Sequence, residues 1–365
     1  MFTRNMIGVD ERNHKKNTSF SRKIKIFFIL IQILLSLDFG FIEYKTLKQK
    51  FLLKLMTFLV SLCLGIFIVK MLYNMGDYYY INWGLKFLLE YYLYILILIF
   101  TPEHRTFRFY QTKLQQFDNK IQVQTSSFKL DNKIMFCFML LFSFDMITIF
   151  LYYAYSDDYE LQMYLQYIFY IPLRSYNLPL IIFYFVYLSM LYRLKQLNVY
   201  IESRKSSVLS TLRLYMFLSD SMDNVMISFR YIYFVCLLFN IPGMMGSTYL
   251  LIELIQTKSN ELNIGMLIPY FSLFQEVIIR TAPTITATCM SQEAMKIKIL
   301  LYDHILQERD SREIRIMERF AKYIDARPFK FYIFFIIPMD ATLLVIVLDA
   351  CISYLIIIIQ MTHIV

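Results

Sequence analysis

Glycine is scarce in this chain, 8 in 365 residues. Close backbone contact through Gly-x-x-x-Gly spacings is therefore not its dominant way of joining helices. Histidine is scarcer still. His14, His104, His304 and His363 all fall outside the apolar stretches or at their edges, which argues against an intramembrane metal or acyl-transfer centre built on imidazole. The five cysteines (Cys63, Cys137, Cys236, Cys289, Cys351) lie inside apolar segments with no zinc spacing and no pair suited to a disulfide, so they read as small hydrophobes. No nucleophile stands near a histidine and there is no phosphate-binding loop, so no enzymatic activity, no cofactor and no metal are expected. The basic N-terminal residues Arg12, Lys15, Lys16, Arg22 and Lys23 precede no small-residue cleavage site, so no cleavable signal is expected either.

What is abundant is apolar and aromatic: 58% of residues are hydrophobic, with 34 Phe and 30 Tyr. This is the composition of an all-α polytopic membrane protein. Seven stretches are long and apolar enough for spans: 51–73, 82–100, 133–154, 162–190, 226–252, 265–289 and 333–361. An eighth run, 24–42, is flanked by lysine on both sides and contains Asp38, which suits an interfacial or re-entrant helix better than a crossing one. Of the 37 Lys and Arg, 31 fall in residues 1–54, 101–133, 193–213 and 290–330. The opposite loops carry only Lys258, and Lys70, Lys86, Arg174, Arg230 and Arg280 lie within spans. The positive-inside rule then sets the N-terminus in the cytoplasm and the C-terminus outside, in a multi-pass protein. The +9 net charge follows from this topology and from anionic inner-leaflet lipid, and calls for no nucleic acid. The orientation is opposite to that of G-protein-coupled receptors, and neither Asp-Arg-Tyr at the end of span 3 nor Asn-Pro-x-x-Tyr in span 7 is present.

The basic loops are themselves helix-compatible. Ile314, Met317, Phe320, Ala321 and Ile324 fall on one face, with Glu313, Arg315, Glu318, Arg319 and Lys322 largely elsewhere, and the stretch from Leu191 to Asp223 reads the same way. Helices that continue several turns below the membrane and pack together are expected. The chain divides into a cytoplasmic N-terminal segment (1–50), helices 1–6 with helical cytoplasmic loops (51–290), cytoplasmic anchor helices (291–332) and a last span (333–365).

That last span holds a pattern. From Ala341 to Met361 there is no Lys or Arg and Asp349 is the sole charge. Thr342, Ile346, Asp349, Ser353, Ile356, Gln360 and His363 recur every three or four residues, one seam on a helix. Polar groups are costly in lipid, so such a seam faces protein or water. Two readings stand from the residues alone: interhelical hydrogen-bonding glue, or the lining of a pore.

Ser353-Tyr354, five apolar residues from Leu355 to Ile359, then Gln360-Met361 resembles the Thr-Tyr-(five hydrophobic)-Gln-Phe signature of insect gustatory receptors, with Ser353 for Thr and Met361 for Phe. The approach is similar too: a charged helix with Glu318 and Phe320, then Phe334-Phe335, Asp340 and Leu343-Leu344. Where members of the sugar-sensing branch often carry Glu after the Tyr, this chain has Leu355, so a sugar ligand is less favoured. The resemblance implies a ligand-gated, non-selective cation channel in the plasma membrane of chemosensory neurons. It further implies a homo- or hetero-tetramer with related receptor subunits, the last helix of each lining a central pore, and a small-molecule tastant bound in the outward half of helices 2–6. Residues implied at the pore are Asp349, Ser353, Ile356, Gln360 and Met361, with Tyr354 in gating or coupling. Candidates for ligand contact are Glu90, Asp145, Tyr167, Tyr170, Arg174, Asn240 and Gln275.

Several of these have plainer roles open to them. Asp349 either faces the pore or pairs with a base such as Arg280. Glu276 and Arg280, and Lys86 and Glu90, have the i,i+4 spacing of a mutually neutralising pair. Arg174, among tyrosines and between Pro172 and Pro179, contacts a ligand or pairs with Asp145. The alternative function is a secondary transporter or facilitator of a small polar solute, which also uses intramembrane charges and broken helices; no internal repeat of span pairs supports it.

Overall fold

The structure is a computed structural model. It describes residues 107–121, 177–203, 207–257, 264–333 and 336–362, with parts of 51–70 and 89–100 and residue 147. Of the described residues 90% are helical. The chain elements are α1 (Phe107–Ile121), α2 (Asn177–Glu202), α3 (Val208–Thr257), α4 (Ile264–Gln307), α5 (Ser311–Ala326), β1 (Tyr332–Ile333), β2 (Ile337–Pro338) and α6 (Ala341–Thr362). The helix described in part over 51–70 holds Gly65 directly under Tyr92, so close that a Cβ there would overlap the phenol. One of the eight glycines is thus used for close approach.

At 1.5 Å per residue, α3 and α4, with 50 and 44 residues, are about 75 and 66 Å long. Both greatly exceed the ~30 Å hydrocarbon core of a bilayer. Each joins strongly charged to apolar sequence, α3 with a bend of 46° near Ser228. Among the described residues, the segment Leu180–Glu202 is long and apolar enough to cross a membrane. The bent pair Val208–Ile227 and Phe229–Phe239, at 46°, passes the same test if taken as one span, and Ala341–Ile357 is a shorter apolar helix. The first of these reaches twelve residues past the span expected at 162–190.

The core is centred on α4. Its residues Ala287, Met290, Ala294, Ile297 and Leu301, three or four apart, are buried and form the stripe against which α2 packs most extensively. α2 answers with Phe183, Tyr187, Met190, Leu194 and Leu197, all fully buried. α5 docks on α4 and α3 through Met317, Phe320, Ala321 and Ile324, the face read from the sequence. Its N-terminus is capped by Asp310, whose carboxylate accepts from the Arg312 N–H.

One expectation is refined and one needs correction. The helix-compatible stretch from Leu191 to Asp223 holds the end of α2 and the start of α3; the Ser203 hydroxyl donates to the Tyr200 carbonyl at one end, and the Ser207 carbonyl accepts from the Ser210 N–H at the other. The last span does not begin as a helix at residue 333. Pro328 ends the helical path, Phe329 takes a left-handed backbone angle of 52°, and Tyr332–Ile333 pairs antiparallel with Ile337–Pro338. A β-hairpin therefore precedes α6, which starts at Ala341.

Candidate functional site

α6 begins with a firm attachment. Asp340 accepts from the Thr342 N–H at 2.9 Å and from the Thr342 hydroxyl, and the Ala341 N–H donates to Thr288 Oγ1 of α4 at 2.9 Å. Leu343 is buried, and Leu344, Val347, Cys351 and Leu355 are half-buried. These five form the only stripe of the described α6 side chains that is not exposed.

The seam is elsewhere. Thr342, Ile346, Asp349, Ser353, Ile356 and Gln360 are all exposed. At 100° per residue the centre of the seam lies roughly 170° round the helix from the centre of the attached stripe. The polar line of α6 thus points directly away from its own chain. Val345, Leu348, Ile352 and Ile357 are exposed as well, each by more than half, so a mostly apolar helix stands against its bundle by one edge alone. Asp349 makes no ion pair with Arg280, which is buried on α4. Tyr354 is 44% exposed, on the flank toward the chain's own bundle by helical position. Met361 belongs to α6, but its side chain lies outside the described ones, as does His363 altogether.

Of the ligand-contact candidates, only the Glu90 side chain falls within the described residues. It is fully buried and accepts a 2.5 Å hydrogen bond from the Tyr94 hydroxyl. Arg280 lies within electrostatic reach of the same Tyr94, and its backbone carbonyl accepts from the Tyr233 hydroxyl at 2.8 Å. Glu90, Tyr94, Arg280 and Tyr233 therefore make a buried polar cluster that joins three helices. Asp145, Tyr167, Tyr170 and Arg174 lie outside the described residues, as do the side chains of Asn240, Gln275 and Glu276. Lys86 and the 24–42 run lie outside them too.

Polar pairs in the charged half were not legible beforehand. Arg193 of α2 makes two bonds to Asp118 of α1, at 2.9 and 2.6 Å, and a third to the Ser189 carbonyl at 2.9 Å. Its side chain is 4% exposed. This fork-on-carboxylate geometry holds α1 in register on α2, aided by the Tyr110 hydroxyl donating to the Val186 carbonyl. Lys298 of α4 bonds Asp325 of α5 at 2.7 Å, a contact that holds the ammonium pKa above its ordinary range. Arg327, just past α5, pairs with Asp220 and Asp223 of α3. Beside it the Tyr215 hydroxyl donates to the Arg327 carbonyl, and burial pushes that phenol well up. Tyr215 meets Phe320, Tyr323 and Phe329 edge-on. Tyr187 meets Phe331 in the same way at 5.4 Å, so the hairpin that leads into α6 is anchored on α2.

No protein-family model and no curated protein matches the chain.

Proposed function

We propose that this chain is a gustatory-type chemoreceptor subunit: one part of a tetrameric, ligand-gated, non-selective cation channel of the plasma membrane. In this reading seven helices span the bilayer, with the N-terminus inside and the C-terminus outside. A small-molecule tastant binds in the outward half of helices 2–6, and α6 of each copy lines the pore.

The observation that carries the reading is the orientation of the seam on α6. A helix that turns its polar line away from its own bundle leaves that line for an axis shared with other copies. Four copies would set rings of Asp349, Ser353 and Gln360 around a tube, separated by an apolar ring of Ile356. Carboxylate and amide oxygens there favour cations, and a narrow apolar ring conducts only when wetted. The loop charges and the Ser353–Met361 signature support the same reading independently.

The test is an epitope appended after Val365 in cells expressing the chain, together with a tastant screen read as inward current. The reading expects staining on intact cells and a ligand-evoked, cation-carried current. Staining only after permeabilisation contradicts the topology. Saturable solute uptake without current would favour a transporter.

A further inference from the structure

A cavity of about 580 Å³ opens between α4 and the connector that leads from α5 to α6. That is the size of a site for one small organic molecule. Its walls differ in character. One is apolar, with Met295 and Ile299 of α4 facing Phe331 and Met339 of the connector. Met295 and Ile299 are 43% and 57% exposed, although they stand in the charged half of α4.

The other wall carries Lys296 and Lys330 with two acids, Asp325 and Asp340. Both acids are already engaged. Lys298 holds Asp325, and Asp340 caps α6. Lys330 makes no ion pair with any described residue. Lys296 shares its ammonium with Glu293 at 2.8 Å and keeps 61% of its side chain exposed, which leaves donors to spare. The cavity thus presents available cationic donors beside an apolar wall that is exposed at Met295 and Ile299.

We propose that this cavity binds an anionic amphiphile, a phosphate or carboxylate head on an apolar body, with the head at Lys330 and Lys296 and the body along Met295, Ile299 and Phe331. The binding rests on the cavity alone. In the topology proposed above the cavity lies on the cytoplasmic side, next to the inner leaflet, so a lipid is one source and a soluble amphiphile another. Phe331 and Met339 flank the hairpin that starts α6, so an occupant braces the foot of that helix against α4.

The experiment uses the full chain purified in dodecyl maltoside. Thermal unfolding is followed during titration with dioleoyl phosphatidic acid, decyl phosphate, phosphatidylcholine or inorganic phosphate. Hydrogen exchange is read over residues 328–345. No current is needed, so failure here is separate from failure of the channel reading.

The proposal expects phosphatidic acid to raise the midpoint saturably and slow exchange over 328–345, with phosphatidylcholine and inorganic phosphate inert. Decyl phosphate acting alone assigns a soluble source, and both acting allows a lipid. Lys330→Glu should weaken the effect by about tenfold or more, the equivalent of one charged hydrogen bond, while Lys330→Arg retains it. Ile299→Glu should abolish it through the apolar wall. An equal response to phosphatidylcholine, full response to inorganic phosphate, or an unaltered Lys330→Glu variant overturns the proposal. So does a smaller assembly for Lys330→Glu with no change in ligand response, which would assign the cavity to contact between copies.

Discussion

In 191–223 and 292–326 the chain is rich in Lys, Arg, Asp and Glu, yet there α2 to α5 bury a continuous core, and Arg193, at 3% exposure, lies within it. From Ala341 to Thr362 a single charge interrupts an apolar helix, yet most of that helix is uncovered. In a water-soluble molecule these two regions would exchange burial. The charged region is largely satisfied by its own chain: Arg193, Lys298 and Arg327 pair with acids on neighbouring helices, and most of its large apolar side chains meet one another. α6 is incomplete, and needs lipid, further copies of the chain, or both. Composition and packing are thus separate descriptions, and their disagreement along α6 is the functional signal.

The comparison is most strongly tested by breaking the most buried ion pair described, Arg193 with Asp118. Asp118→Ala leaves a buried guanidinium without its carboxylate and should cost about 3–5 kcal/mol, read as a large fall in the thermal midpoint of the purified chain. Adding Arg193→Met should recover most of the loss. A matched pair then sharpens the contrast. Leu301→Ala, at a site 1% exposed, should cost about 2–5 kcal/mol. Leu348→Ala, at a site 58% exposed on α6, should stay within about 0.5 kcal/mol for the isolated subunit. Equal losses would mean that α6 is packed by its own chain after all.

Gln360→Glu should leave subunit stability within the same ~0.5 kcal/mol of a surface change and alter permeation instead. Up to four carboxylates in one ring cannot all ionise easily, so some titrate near neutral pH. As pH rises through that range the ring gains negative charge, and relative permeability to cations, divalent ones above all, should rise. Unchanged permeability in a channel that still opens would make the seam packing glue. A small effect is also expected at Tyr187, whose buried hydroxyl has no hydrogen-bond partner among the described residues. Tyr187→Phe removes a polar atom that no described residue satisfies and should be neutral or stabilising, within about 0.5 kcal/mol of the native chain. A larger loss would reveal a bound water or ligand at that hydroxyl.

Much of this was legible because helical periodicity is local. The buried face of α5 and the seam of α6 were both readable at a spacing of three to four residues. The hairpin before α6 was hidden, because Phe331 to Ile337 is one apolar run that continues into the span; Pro328 and Pro338 at its ends were the available signal. The boundary between α2 and α3 falls where the sequence has Ser203, Ser206 and Ser207, turn-forming residues. Arg193 and Asp118 are 75 residues apart, and nothing in either neighbourhood selects the other. The bond from Tyr94 to its i,i+4 neighbour Glu90 was not read from the sequence either, because an apolar run hides which of its polar residues are buried together.

The most direct measurement of the account is oxidative cross-linking of α6, which needs no known ligand. Ile356→Cys lies on the exposed seam, whereas the native Cys351 lies on the half-buried stripe. In membranes from cells expressing the full chain, the account predicts that a mild oxidant converts Ile356→Cys into covalent dimers of the subunit. The native chain, with Cys351 in place, should remain uncross-linked through α6. Cross-linking at a Tyr354→Cys variant with none at Ile356→Cys would contradict it, because the helix would then meet its copies by the opposite flank and the polar seam could not line a shared pore.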